Sequence, residues 1–269
     1  MTAPLGTADP TGVRLAALAG PDPWWPRAEP SPRWIRVRLG GETIADTRRA
    51  VLHLQYGPGV LPRSFLPTYY VPLDDVRSGV LVDPREEDGL TTWTVEAGGA
   101  RVEGGAWMHR SAPPPLDALA GLVTFSWRDL EWFEEEERQQ AHARDPHKRV
   151  DVVPSSRHVR VELDGRPLAE STRPLLLFET SLPTRYYLPR EDVVAGLLPS
   201  ATTSVCPYKG VAEWFSVQVG DRVVTDLVWS YPRPIPENPR IAGLICFLDE
   251  RVDVVVDGEP QERPVTPWA

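Results

Sequence analysis

The run Cys206-Pro207-Tyr208-Lys209-Gly210 sets a thiol, a phenol and an amine beside one another, and each could carry chemistry. Lys209 sits among aromatic residues, where a desolvated ammonium has a lowered pKa and becomes a base or a Schiff-base amine. A solvated lysine on a surface turn is the competing reading. Cys206 would be a nucleophile if the nearby ammonium favoured its thiolate, and a small buried apolar residue if not. No histidine follows His158, so a cysteine–histidine pair would have to draw its base from earlier in the chain. Gly210 supplies either a positive φ or room for a ligand against the backbone.

Tyr186, Tyr187, Tyr208, Trp214, Trp229 and Tyr231 fall at expected strand ends or beside prolines. They would line a concave, apolar pocket with phenolic donors; the alternative is cross-strand core packing. An earlier stretch repeats Trp229 as Trp107 but has His109 in place of Tyr231. Trp229 is therefore assigned mainly to the core and Tyr231 to the site, on one face of a strand by two-residue alternation.

That earlier stretch belongs to a duplication, and the duplication sets the architecture. Arg36-Val37-Arg38-Leu39-Gly40-Gly41 recurs as Arg160-Val161-Glu162-Leu163-Asp164-Gly165, and Tyr69-Tyr70-Val71-Pro72 as Tyr186-Tyr187-Leu188-Pro189. Trp93, Trp107, Gly121 and Phe125 then recur as Phe215, Trp229, Gly243 and Phe247. Gly-Gly and Asp-Gly between alternating residues mark hairpins. A second hairpin in the later copy turns at Gly220-Asp221, and a final apolar strand, with Cys246 in its core, is expected near Leu244 to Val256. Only the later copy holds the Cys-Pro-Tyr-Lys-Gly run, whereas the earlier one has a longer loop between Tyr56 and Phe65.

The expected fold is all-β, two tandem copies of a small antiparallel domain packed as a pseudo-dimer. A Pro-rich segment over 1–32, anchored by Trp24-Trp25, precedes a first domain over 33–127. A charged linker over 128–157, a second domain over 158–258 and a tail over 259–269 follow. The linker runs from Trp132-Phe133 through four glutamates to Arg144-Asp145-Pro146-His147-Lys148-Arg149. These charges either brace the domains as ion pairs or close over the second domain's site, Arg144 and His147 forming a cationic rim for an anionic ligand.

Composition removes several classes of function. The 30 prolines favour short strands and rigid loops over long helices. With 38 acidic against 29 basic residues and a net charge of -9, the chain lacks the positive field that nucleic acid or an anionic membrane requires. No apolar run reaches the roughly 18 residues of a membrane span, and MTAPLGTADP does not read as a leader, so a cytoplasmic location is expected. Neither cysteine belongs to a Cys-x-x-Cys pair, and His142 and His147 share no regular face, so no metal is expected. Glycine-rich phosphate loops are missing, and no cofactor is expected.

Ala169-Glu170-Ser171, Tyr186-Tyr187-x-Pro189-x-x-Asp192-Val193, Cys206-Pro207-Tyr208-Lys209-Gly210, Trp229-Ser230-Tyr231-Pro232 and Val252-Asp253 together resemble the domain of unknown function family 427 in its tandem form. The resemblance implies a compact antiparallel β domain without a settled activity. The first copy departs from the pattern by lacking the Cys-Pro-Tyr-Lys-Gly run and by having Met108-His109 for Ser230-Tyr231. Function is accordingly expected in the second copy. The leading expectation is a cofactor-independent enzyme acting on a small, partly apolar molecule, with Lys209 as base or amine and Tyr208 and Tyr187 as acids or donors. The alternative is a non-catalytic small-molecule or peptide-binding module, in which the aromatics form a cage and Lys209 neutralises an anion. The first requires a buried ammonium without a carboxylate partner; the second requires one that stays charged.

Overall fold

The computed structural model describes residues 26–57 and 61–266, so Trp24-Trp25 lie outside the described residues. The first copy contains β1 (Arg27–Pro30), β2 (Ile35–Leu39), β3 (Glu42–Thr47), β4 (Val51–Leu54), β5 (Thr68–Pro72), β6 (Leu81–Glu87), β7 (Leu90–Ala97), β8 (Ala100–His109), β9 (Leu122–Phe125), β10 (Glu131–Glu134) and β11 (Glu137–Gln139). The second contains β12 (Val150–Pro154), β13 (Val159–Leu163), β14 (Arg166–Ser171), β15 (Leu175–Glu179), β16 (Arg185–Leu188), β17 (Gly196–Cys206), β18 (Gly210–Val219), β19 (Arg222–Ser230), β20 (Ile245–Phe247), β21 (Asp253–Val256) and β22 (Glu259–Pro260).

Each copy builds a seven-stranded and a four-stranded antiparallel sheet. The large sheets run β1-β4-β5-β9-β8-β7-β6 and β12-β15-β16-β20-β19-β18-β17. The small sheets run β11-β10-β2-β3 and, in the same sense, β22-β21-β13-β14. Strand for strand, the two copies have one topology. Alternation explains the core: Ile35, Val37 and Leu39 of β2 are buried, as are Val159, Val161 and Leu163 of β13, between partly exposed charged neighbours. The hairpins turn where expected, with Asp164 and Gly165 at φ 52° and 71° and Val219 paired to Arg222 across Gly220-Asp221.

The structure moves the expected domain boundaries. Residues 131–139, read as linker from their charge, form β10 and β11, and β10 pairs with β2. Glutamates hid a strand of period two: Trp132 is buried, stacked on Trp127 at 4.5 Å between ring centroids, and Glu134 is buried under Arg33 and Tyr69. Residues 27–30, placed outside the first domain, pair with β4, and 150–154, placed in the linker, pair with β15. The tail's Glu259 and Pro260 pair with β21. The connection proper is thus about 140–149. The single apolar strand expected near 244–256 is two, because β20 pairs in the large sheet and β21 in the small one. A turn at Leu248–Val252 carries the chain from one sheet to the other.

Trp132→Ala tests the revised boundary. Loss of a fully buried indole inside the first copy should destabilise the protein by about 3–5 kcal/mol, measured by denaturant unfolding. A change as small as that of a surface linker residue would restore the original division.

Candidate functional site

Cross-strand register assembles the second copy's site. Leu175 faces Tyr187, Tyr187 faces Cys246, Cys246 faces Trp229 and Trp229 faces Trp214, giving one row across four strand pairings. Residues in register share a face. Leu177 and Arg185 form part of the next row. Over this face lies a cavity of about 310 Å³, lined by Tyr187, Trp214, Trp229 and Tyr231 from the sheet and by Cys206, Tyr208 and Lys209 from the turn. Trp229, assigned to the core, is buried and also lines the cavity, where its indole N–H donates to the Tyr187 hydroxyl at 3.2 Å.

The turn that presents Lys209 is held by its neighbours. Gly210 has φ 107°, a conformation that excludes side-chain-bearing residues without strain. The Ile235 N–H donates to the Lys209 carbonyl at 3.0 Å, and the Asn238 amide to the Tyr208 carbonyl at 2.7 Å. The Pro-rich loop after β19 therefore clamps the turn from outside.

Lys209 does not meet the demand placed on a base. Its buried ammonium donates to Glu179 Oε2, and the ammonium of Lys148 lies 3.1 Å from Glu179 Oε1. Side-chain exposures are 12%, 5% and 8% for Lys209, Glu179 and Lys148, so the trio is shielded from water. Burial pulls the Lys209 pKa down, but attraction to Cys206 and Glu179 outweighs it and leaves the pKa above its ordinary value. Burial likewise raises Glu179, and the two lysines more than reverse this. One carboxylate thus serves two ammoniums. Arg185, by contrast, is matched: Glu250 accepts from it at 2.9 and 2.5 Å, with Asp249 at 3.5 Å.

The phenols stay protonated. Burial pushes Tyr208 up to about 12 and lifts Tyr187 and Tyr231 above the usual phenol range, Lys209 opposing the shift of Tyr231. His142 also lines the cavity, and burial drops its pKa to about 4, so the ring is neutral at pH 7. Cys206 is half-buried and faces the cavity, whereas Cys246 is fully buried.

The first copy closes the cavity through Tyr56. Its hydroxyl donates to Asp145 Oδ2 at 3.0 Å, and the Asp145 N–H donates to the Tyr208 hydroxyl at 2.7 Å. Lys148 lies 4.9 Å from the Tyr56 ring and 5.6 Å from that of Tyr208, within cation–π range of a tyrosine from each copy.

Three expected site residues lie elsewhere. Tyr186, adjacent to Tyr187 on a strand, points to the opposite face, beside Asp249 and Val254. Arg144 is bound between Glu137 and Glu237, and His147 meets Glu29 at 2.8 Å. Arg144 thereby links a glutamate of each copy, and neither residue lines the cavity. The connection's contribution to the cavity is instead Lys148 and His142. Glu179 was missed because a lone strand-end glutamate carries no motif, although its position beyond Leu175-Leu176-Leu177-Phe178 could have marked it as half buried.

Among the described residues no three His, Cys, Asp or Glu side chains gather as a metal centre would need, and no helix is long and apolar enough to cross a membrane. Fold and site together define a tandem, all-β protein whose second copy holds a cavity lined by Lys148, Lys209, Arg185 and Glu179. The family model described as Domain of unknown function (DUF427) matches residues 27–136 and 151–258, so the chain belongs to that family, with two copies of its domain. No curated protein matches the chain.

Glu179→Ala would leave two buried ammoniums without a counter-charge, and should cost about 3–5 kcal/mol of stability by denaturant unfolding. The Glu179 pKa is lower folded than unfolded, so its contribution is complete above 4.5 and is lost as pH falls toward the folded value. The Lys209 pKa is raised, so its contribution is complete below 10.5 and is lost as pH climbs through the folded value. Stability curves of wild type and Glu179→Ala should converge at both ends; a constant gap across pH would mean that the trio does not couple to folding.

Proposed function

We propose that the protein binds a small, partly apolar organic anion in the second copy's cavity, a carboxylate being the simplest case. One observation carries the reading: Glu179 is shared by Lys148 and Lys209, so the shielded trio holds one more cation than anion. An incoming anion would supply the missing charge where charge-assisted hydrogen bonds are strong. The walls match the rest of such a ligand. Trp214, Trp229 and Leu177 offer apolar surface, while protonated Tyr187 and Tyr231 offer donors. A volume of about 310 Å³ lies at the lower end of small-molecule sites, and suits a ligand smaller than most drugs.

Amine catalysis is not carried forward, because the carboxylate on Lys209 favours the charged form that a base or Schiff-base amine must give up. Lys209 is instead a charge that orients the ligand.

Calorimetric titration with benzoate tests the reading. Binding should be weakened about tenfold to a hundredfold by Lys209→Met, as expected for loss of one charge-assisted hydrogen bond. Affinity should hold across neutral pH. Undiminished binding by Lys209→Met would overturn the proposal, and reductive trapping of a carbonyl compound on Lys209 would return the amine reading. In a parallel measurement, iodoacetamide should alkylate Cys206 and spare Cys246, and bound benzoate should slow the reaction; equal rates with and without benzoate would place the anion elsewhere.

A further inference from the structure

In the wall of the second copy's cavity, His142 offers a lone pair and no free proton. Its Nδ1 lies 2.8 Å from the Ala143 carbonyl. A carbonyl can only accept, so Nδ1 carries the ring proton and Nε2 the lone pair. Burial holds the ring neutral, with its pKa at about 4. Among the described residues no hydrogen bond reaches Nε2, although the ring is partly buried and lines the cavity.

The indoles and the turn's phenol are already engaged. The Trp214 N–H donates to Ser204 Oγ at 2.9 Å, the Trp229 N–H to the Tyr187 hydroxyl at 3.2 Å, and the Tyr208 hydroxyl accepts from the Asp145 N–H at 2.7 Å. Tyr187 is different. It is 1% exposed, and its hydroxyl, having accepted from Trp229, keeps a proton that no group among the described residues accepts. The cavity thus presents a buried donor and a sheltered acceptor, both of which call for a partner, because a buried polar group left unmatched costs about 1–3 kcal/mol.

The acceptor lies beside the charges. His142 and Lys148 both adjoin the Tyr208 ring, the imidazole at 6.2 Å between centroids and the ammonium at 5.6 Å from the centroid, and the charges of Lys148 and Glu179 both act on the imidazole. We infer that the anion of this cavity is a hydroxy acid, whose carboxylate meets Lys148 and Lys209 and whose hydroxyl, close to that carboxylate, donates to His142 Nε2. The inference rests on the anion site proposed above and narrows its ligand. A hydroxyl gives its proton to Nε2 without bringing charge, whereas an ammonium in its place would be repelled by two shielded lysines. An oxygen of the same ligand accepts the Tyr187 proton, and Trp214 and Trp229 cover its apolar part.

Mandelate, phenylacetate and phenylglycine share one carbon frame and differ at a single substituent: hydroxyl, hydrogen or ammonium. In calorimetric titrations one enantiomer of mandelate should bind about tenfold tighter than phenylacetate, and phenylglycine more weakly than either. His142→Phe should abolish the mandelate advantage while leaving phenylacetate affinity within about twofold; Lys209→Met should weaken both acids together. If His142→Phe fails to fold, wild type labelled with ¹⁵N-histidine serves, since mandelate but not phenylacetate should move the His142 Nε2 resonance. Equal affinity for mandelate and phenylacetate, a mandelate advantage that survives His142→Phe, an unmoved Nε2 resonance, or phenylglycine binding as tightly as mandelate would each overturn the hydroxy-acid assignment and leave the anion site standing. Binding of neither acid in a Lys209-dependent way would overturn the anion site, and this inference with it.

Discussion

A single buried carboxylate shared by two ammoniums is the interaction on which the second copy's cavity depends. Removing an ion from water costs several kcal/mol even after relaxation, and only a close counter-charge offsets it. Glu179 provides that for Lys209 of the β17–β18 turn and for Lys148 of the connection. The carboxylate ends β15, beside β12, so sheet, hairpin and connection converge on two oxygen atoms. The connection is therefore part of the cavity's charged wall, through Lys148.

The contact between copies follows from the same arrangement. Lys148 needs more than half a carboxylate, and the rings of Tyr56 and Tyr208 supply it from opposite sides of the boundary. Asp145 then ties the two phenols together through its side chain and its backbone N–H. Arg144 adds an exposed ion pair with Glu237 and His147 an exposed hydrogen bond with Glu29, which are worth little singly but restrain a short connection.

Much of the fold was legible in the sequence because hairpin signals and the duplication are local. Asp164-Gly165 and Gly220-Asp221 turn as read, and Cys206, Tyr208, Lys209, Trp214 and Tyr231 do line one cavity. What was misread is long-range. Glu131 to Glu134 looked like a linker because charge was read without period, and only pairing with β2 reveals the buried Trp132 face. Tyr186 looked equivalent to Tyr187, yet neighbours on a strand face opposite ways. The fate of Lys209 turned on Glu179, thirty positions earlier and in no motif, so composition around the turn suggested a bare ammonium where there is an ion pair.

Hairpin length accounts for a linked set of differences between the two copies. In the first copy β6 and β7 are joined by Asp88-Gly89 alone, with Glu87 paired to Leu90, so that turn carries no lysine toward the sheet. A glutamate at position 55 would then be a buried charge without a cation, and burial without a partner is the costly state. Gln55 keeps the shape, drops the charge and donates to the Gly57 and Ser64 carbonyls. In the second copy the longer turn, fixed by Gly210 and clamped by Ile235 and Asn238, delivers Lys209, and a carboxylate at 179 becomes tolerable. Arg185 for Thr68 is possible on the same terms, because Glu250 and Asp249 stand behind it. One turn thus determines whether the sheet face beneath it can be charged.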